Sequence, residues 1–169
     1  VFFPTNLIFF LLPLLPAWIL LVICLPLIFS FFWYIFFKSL HLSTPAAILG
    51  SICAANLTFL NVWTEQLGLL QSIFFLPLIL WLINKKFYIL TPVLLAFSFF
   101  GGHPQTTLYV FILSGIYLIY SKVSLKLIVI IYIFALAISS VQLLPTIELY
   151  KYSAMEDSTL QKLITTTTL

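Results

Sequence analysis

Charge is what this sequence has least of. Of its 169 residues only 7% are charged, seven lysines and four acids, where a soluble domain carries about 25%. A globular chain of this length must cover its surface with polar side chains, and so few cannot do it. A water-soluble fold is thereby excluded, and lipid must supply the solvent.

Cysteine is also sparse. Cys24 and Cys53 lie inside apolar runs, where a thiol behaves as a small hydrophobe, so neither a disulfide framework nor a cysteine metal site has support. The N-terminus lacks a basic region and a small-residue cleavage site, and no signal peptide is recognisable. An internal repeat, a GxxxG dimer motif and a glycine-rich phosphate loop are missing too, which leaves nucleotide binding without support. Ser/His/Asp and Cys/His constellations are absent at diagnostic spacing, and His103 with scattered acids is a weak metal pattern. No cofactor is evident, and a divalent metal is not indicated. The net charge of +3 calls for no nucleic acid, because the lysines mark membrane topology instead.

What is present is apolar: 63% hydrophobic and 18% aromatic residues, with a mean hydropathy of +1.24. In a bilayer every backbone amide needs an internal partner, so only helices or closed barrels span it. Long Leu, Ile and Phe runs without strict alternation exclude a barrel. The sequence therefore predicts an all-α, polytopic transmembrane helix bundle. The polar stretches between runs are too short to fold alone, so residues 1–169 read as a single transmembrane domain. An opening at Val1 without Met and a closing run from Thr165 to Thr168 lead us to expect an internal fragment of a longer protein.

A spanning helix needs about 20 apolar residues, and a charge at its centre costs roughly 2.5 to 3.5 kcal/mol. Cutting at the charges gives six segments: Pro16 to Phe37, Pro45 to Asn61, Leu67 to Ile83, Phe87 to Phe100, Thr106 to Tyr120 and Leu125 to Leu144. Lys38, Lys85, Lys86, Lys122 and Lys126 then fall on one side, and Glu65, His103, Glu148, Glu156 and Asp157 on the other. The basic side of a short-loop protein is normally cytoplasmic, so both chain ends are expected outside the cytoplasm. Lys151 and Lys162 follow the last span, where the rule is weaker. Trp18 and Trp63 map near the outer interface, and Trp33 and Trp81 near the inner one, where amphipathic rings prefer to sit. Residues 2–15, broken by Pro4 and Pro13, are expected along the outer interface or as a short half-helix. Asn56-Leu57-Thr58 matches a glycosylation acceptor but lies within a span, out of reach of any glycosylating enzyme.

The fourth and fifth segments are about 14 to 16 residues long and cover roughly 21 to 24 Å of a ~30 Å core. Their turn, Gly101-Gly102-His103-Pro104-Gln105, is expected to be recessed. Its glycines permit left-handed or very close backbone, and Pro104 can open the next helix. His103 and Gln105 at that helix start would offer donors and a positive dipole end to an anion. The plainer reading is a helix-breaking turn whose histidine faces water. Glu65, beside Trp63 on the same side, suits a general base or a cation ligand, or simply a solvated loop acid. Gln142 reads equally as interhelical glue or as a site residue. Glu148 either serves the site or pairs with Lys151. Gln71 and Asn56 read as interhelical hydrogen-bonding amides.

The order of these pieces resembles the YfhO family of bacterial multi-pass membrane proteins, which belongs with the lipid-dependent GT-C type glycosyltransferases. The likeness covers nearly the whole chain: Phe3-Pro4-Thr5-Asn6-Leu7, Leu42-Ser43-Thr44-Pro45-Ala46-Ala47 and Leu76-Pro77-Leu78-Ile79-Leu80. More specific are Gly102-His103-Pro104-Gln105 with Tyr109, and Val141-Gln142-Leu143-Leu144-Pro145-Thr146-Ile147-Glu148-Leu149 leading to Ser153. Met155 stands where a basic residue commonly follows in that family, a departure that leaves a phosphate-binding role for this position without support. The resemblance implies a bacterial cytoplasmic-membrane protein that transfers a sugar from a polyprenyl-phosphate donor to an extracytoplasmic envelope polymer or glycan. His103, Glu65 and Glu148 would be catalytic, with Gln105, Gln142 and Trp63 binding substrate. The first-loop acid that such enzymes use as base would lie upstream of Val1. The rival classes are a transporter component, against which no mid-span charge or inverted repeat is visible, and a non-catalytic envelope-assembly protein.

Overall fold

In the computed structural model the described residues are 3–56 and 66–167, with side chains described as far as residue 149. No strand occurs among them. A 3-10 turn, Pro4–Leu7, leads through α1 (Ile8–Leu11) into α2 (Leu14–Ser39). Then come α3 (Thr44–Ala55), α4 (Leu67–Ile73), α5 (Leu76–Asn84), α6 (Thr91–Phe100), α7 (Pro104–Tyr120) and α8 (Leu125–Thr167). The chain divides into two compact units, Val1–Ser139 and Ser140–Leu169; the second holds the C-terminal part of α8.

Proline sets most helix starts. α3, α5, α6 and α7 each carry it at the first or second position, where the missing N–H has no intrahelical use and φ is already helical. Pro77 also divides α4 from α5, because its ring would clash with the Ile73 carbonyl four residues back. Phe74 and Phe75 keep right-handed φ, so the path from Leu67 to Asn84 remains an 18-residue apolar rod.

Three helices among the described residues are long and apolar enough to cross a membrane: Leu14–Ser39, Leu67–Asn84 and Leu125–Leu149. They contain the first, third and sixth segments expected from the sequence. α3 and α6 are apolar but only 12 and 10 residues long. The second expected segment, Pro45 to Asn61, runs past Asn56 beyond the described residues. The fourth starts later than expected, at Thr91, because a turn occupies Phe87 to Leu90 and Pro92 takes the helix start. Residues 4–11 do form short helices, and Phe3 before them is buried against the Phe74 and Phe75 rings at 6.1 and 5.6 Å.

The packing of the first unit is the reverse of a water-soluble bundle. Buried positions step along α2 as Ala17, Leu21, Leu25 and Phe29, along α3 as Ala47, Ser51 and Ala55, and along α7 as Val110, Ser114 and Leu118. Many of these are small. Ile19, Ile23, Leu27 and Phe31 of α2, and Leu108, Ile112 and Ile116 of α7, are exposed instead. Burying small residues and turning large aliphatic ones outward is economical only where the solvent is hydrocarbon, since small side chains let helices approach closely.

The ends of α2, α5 and α7 are closed in one way. His41, Lys86 and Lys122 adopt positive φ of 63, 60 and 57°. Each donates its N–H three residues back, to Lys38, Ile83 and Ile119. The next residue donates five back, Leu42 to Phe37, Phe87 to Leu82 and Val123 to Leu118. These paired bonds satisfy the last carbonyls without outside help, and both residues of each five-residue bond are apolar, as this motif favours. Asn84 Nδ2 donates to the Ser39 carbonyl and hydroxyl at 3.0 and 2.9 Å, and Phe36 meets Tyr117 edge-on at 5.8 Å. Lys38, Lys85, Lys86 and Lys122 therefore share one end of the unit, with Lys126 in the first turn of α8. The left-handed conformation costs a side-chain-bearing residue about 1 kcal/mol or more. Lys122→Gly is accordingly expected to be more stable than Lys122→Ala by about 1 kcal/mol in thermal unfolding in detergent. Equal stability of the two would mean that the positive φ is not retained.

Candidate functional site

The end of α6 breaks the pattern of the other three. Gly102 takes the left-handed position with φ 84° and donates to the Phe99 carbonyl at 3.0 Å, as expected for the first bond of the motif. The second bond, from the His103 N–H to the Ser98 carbonyl, is replaced. His103 N–H donates to Ser72 Oγ of α4 at 3.1 Å, while the Ser98 carbonyl accepts from Thr107 Oγ1 at 2.9 Å. The apolar pair that closes each other end is here a serine and a histidine.

A knot of small polar side chains makes this detour workable. Ser72 Oγ donates to the Gly68 carbonyl at 2.8 Å, and Ser98 Oγ donates to the Ser72 carbonyl. Thr107 Oγ1 also lies 3.0 Å from the His103 carbonyl and Thr106 Oγ1 lies 3.1 Å from it. Ser72, Ser98, Thr106 and Thr107 are all buried. Glycine is required at the crossing: a Cβ on Gly101 would stand 2.7 Å from Ser72 Cα, and one on Gly68 would stand 2.8 Å from the Gly101 carbonyl oxygen. Helix α4 and the turn touch backbone to backbone.

His103 does two jobs. Its N–H ties the turn to Ser72 of α4, and its side chain caps α7: Nδ1 accepts from the Thr106 N–H at 3.3 Å and lies 2.7 Å from Thr106 Oγ1. Capping from this position satisfies one of the helix's spare amides. In the tautomer in which Nδ1 accepts from the Thr106 N–H, the proton sits on Nε2, and the edge not used by the cap is then a donor. Of the other first-turn amides, Pro104 has none and the Thr107 N–H goes to the His103 carbonyl. The Gln105 N–H is then the amide that the turn itself does not use. Gln105 Nε2 donates to the Tyr109 hydroxyl at 2.8 Å one helical turn on, and both side chains are exposed. His103 is half-buried.

The neighbouring residue of α4 holds a second polar group. Gln71, only 3% exposed, donates through Nε2 to Asn6 Oδ1 at 2.7 Å and Thr5 Oγ1 at 3.1 Å. The Pro-Thr-Asn turn and the Gly-Gly-His-Pro turn thus dock on adjacent residues, Gln71 and Ser72. Asn56 donates to the Ile52 carbonyl within its own helix at 2.8 Å.

The remaining expected site residues are distributed as follows. Trp63 and Glu65 lie outside the described residues, and with them the comparison of His103 depth against Trp63. Gln142, half-buried, and Glu148, exposed, belong to the second unit. There the Gln142 carbonyl accepts from Thr146 Oγ1 at 2.7 Å, a bond that engages the helix beside Pro145. Among the described residues no three His, Cys, Asp or Glu side chains converge. Sequence reasoning singles out His103 and Gln105 of this turn but not Ser72, Ser98, Thr106 and Thr107, which hold it. The usable signal was Thr106, three residues after a histidine that precedes proline, which is the spacing of a helix cap.

Comparison with family models, curated proteins and solved structures finds no match to this chain. Fold and site together define an all-helical chain with membrane-length apolar helices and a polar, histidine-capped turn. Gly101→Ala should overlap the Ser72 backbone and cost roughly 1–3 kcal/mol or more by overpacking. Gly102→Ala meets no atom within 4 Å and should cost only the left-handed penalty of about 1–2 kcal/mol. Detergent unfolding midpoints in the reverse order would show that the close crossing is not retained.

Proposed function

We propose that this chain is the core of a six-span membrane protein of the YfhO type. In this reading the lysine end faces the cytoplasm and both chain ends lie outside it. The protein transfers a sugar from a polyprenyl-phosphate donor to an envelope acceptor. The observation that carries the reading is the exceptional end of α6. Three helix ends in the first unit close on themselves, whereas the fourth is held open by Ser72 and sets a donor histidine at the start of α7. Hydrocarbon is a costly place to keep polar groups without a purpose. A donor edge on Nε2, the Gln105 N–H and the positive end of the α7 dipole form a fitting receptor for a phosphate oxygen. The donor lipid would keep its tail in the bilayer and bring its phosphate to this level.

His103 would stabilise the leaving phosphate, while an acid takes the proton of the acceptor hydroxyl. Glu65, Glu148 and an acid upstream of Val1 are the candidates, with Gln105, Gln142 and Trp63 as substrate contacts. A donor of this kind is worth about 3 kcal/mol, on the order of a hundredfold in rate.

Two measurements test the reading. Single cysteines placed at Lys86 and Lys122 in a background without Cys24 and Cys53 should be labelled from one face of oriented vesicles, and one at Gln105 from the other. Labelling of all three from the same face would rule out this topology. In the full-length protein, His103→Asn keeps a capping side chain but removes the imidazole donor. It should leave membrane-inserted protein at the normal level and lower transfer from a radiolabelled polyprenyl-phosphate sugar about a hundredfold. His103→Ala should do the same with a further stability loss of about 1 kcal/mol. Unchanged transfer in both variants would remove His103 from the site, and loss of inserted protein in both would make its role structural.

A further inference from the structure

At the lysine end of the first unit a groove of about 470 Å³ opens between the start of α6 and α8. Tyr88, Ile89 and Pro92 form one wall, and Leu127, Ile130 and Phe134 of α8 the other. The lining is apolar, and Ile89, Ile130 and Phe134 are exposed. From Leu127 to Phe134 the groove follows α8 for about 10 Å, inward from the end where the lysines stand. Lys126 directly precedes Leu127, Lys122 is one turn earlier, and Lys85 and Lys86 precede Tyr88; all four are exposed. Residues 66–147 contain no Asp or Glu, so nothing in that stretch neutralises them.

A hydrocarbon slot with an uncompensated cationic mouth asks for one molecule that is apolar along its length and anionic at its head. We propose that the groove holds an acyl chain of an anionic phospholipid from the leaflet on the lysine side, with its phosphate at Lys86 and Lys126. A zwitterionic lipid would match the wall but leave the four cations unanswered. A second copy of this chain would bring the same cations with it. Each lysine at such a surface favours an anionic headgroup by about fivefold. This site is distinct from the His103 turn and does not rest on the transferase reading.

The test uses the full-length protein in phosphatidylcholine nanodiscs carrying a trace of phosphatidylglycerol with a photoactivatable acyl chain, or the same chain on phosphatidylcholine. The phosphatidylglycerol probe should label the peptide containing Leu127 to Phe134 about 25-fold more than the phosphatidylcholine probe. Lys86→Gln with Lys126→Gln, both at exposed positions, should bring the two probes to parity. Ile130→Trp should narrow the groove and lower labelling by either. Equal labelling of the unaltered protein by the two probes would overturn the proposal, as would undiminished labelling of the Ile130→Trp protein. Cross-linking of two copies through this peptide in place of lipid labelling would assign the groove to self-association and overturn it as well.

Discussion

In hydrocarbon a backbone amide or carbonyl without a partner costs several kcal/mol, and the first unit is organised by where the groups at its helix ends find partners. At α2, α5 and α7 the chain folds back on itself through His41, Lys86 and Lys122, and each end is complete alone. At α6 the His103 N–H goes to Ser72 and the Ser98 carbonyl to Thr107. That one exchange makes three segments depend on each other. Helix α4 must lie against the turn, Gly68 and Gly101 must be glycine to allow it, and α7 must begin where Thr106 and Thr107 can reach back.

The individual bonds are weak as stabilisers. Polar contacts between membrane helices average about 0.6 kcal/mol, because the unfolded segment also finds partners in the bilayer. Their value here is directional. Ser72 has one hydroxyl, which donates to Gly68 and accepts from His103, and that fixes the turn relative to α4 more closely than apolar packing alone. Cohesion comes from close contact of small residues such as Ala47, Ser51 and Ala55 and from aromatic rings around Phe74 and Phe75. Close packing holds the helices together, and the hydroxyls decide their register.

The helical class and the three membrane-length helices were legible because apolar run length is a property of consecutive residues. Lysine punctuation was legible for the same reason: Lys86 and Lys122 mark the ends of α5 and α7. Helix starts were less so. Charge does not mark them here, and Pro92 moved the start of α6 past the expected Phe87. Gln71 was read as an interhelical hydrogen-bonding amide, but its partners Thr5 and Asn6 lie in a segment expected along the interface. Ser72 and Ser98 gave no signal. A serine in an apolar run looks like any small residue, and their partners lie 31 and 26 residues away, a separation that only the folded chain reveals.

The cap also divides the chemistry. Since Nδ1 is engaged by Thr106, using Nε2 of the neutral ring as a base would first require the proton to move to Nδ1, at the expense of the Thr106 N–H bond that starts α7. His103 is thus built to give a hydrogen bond, and under the proposed transfer it serves the leaving phosphate and leaves the acceptor hydroxyl to another group. In that proposal the group would be an acid, because the polar side chains gathered around His103 in the first unit are hydroxyls and amides already committed to backbone carbonyls or to each other. Under the proposed transfer the two halves of the reaction would fall to separate groups: the leaving phosphate to a turn locked by Ser72, and the acceptor's proton to a carboxylate such as Glu65 or Glu148.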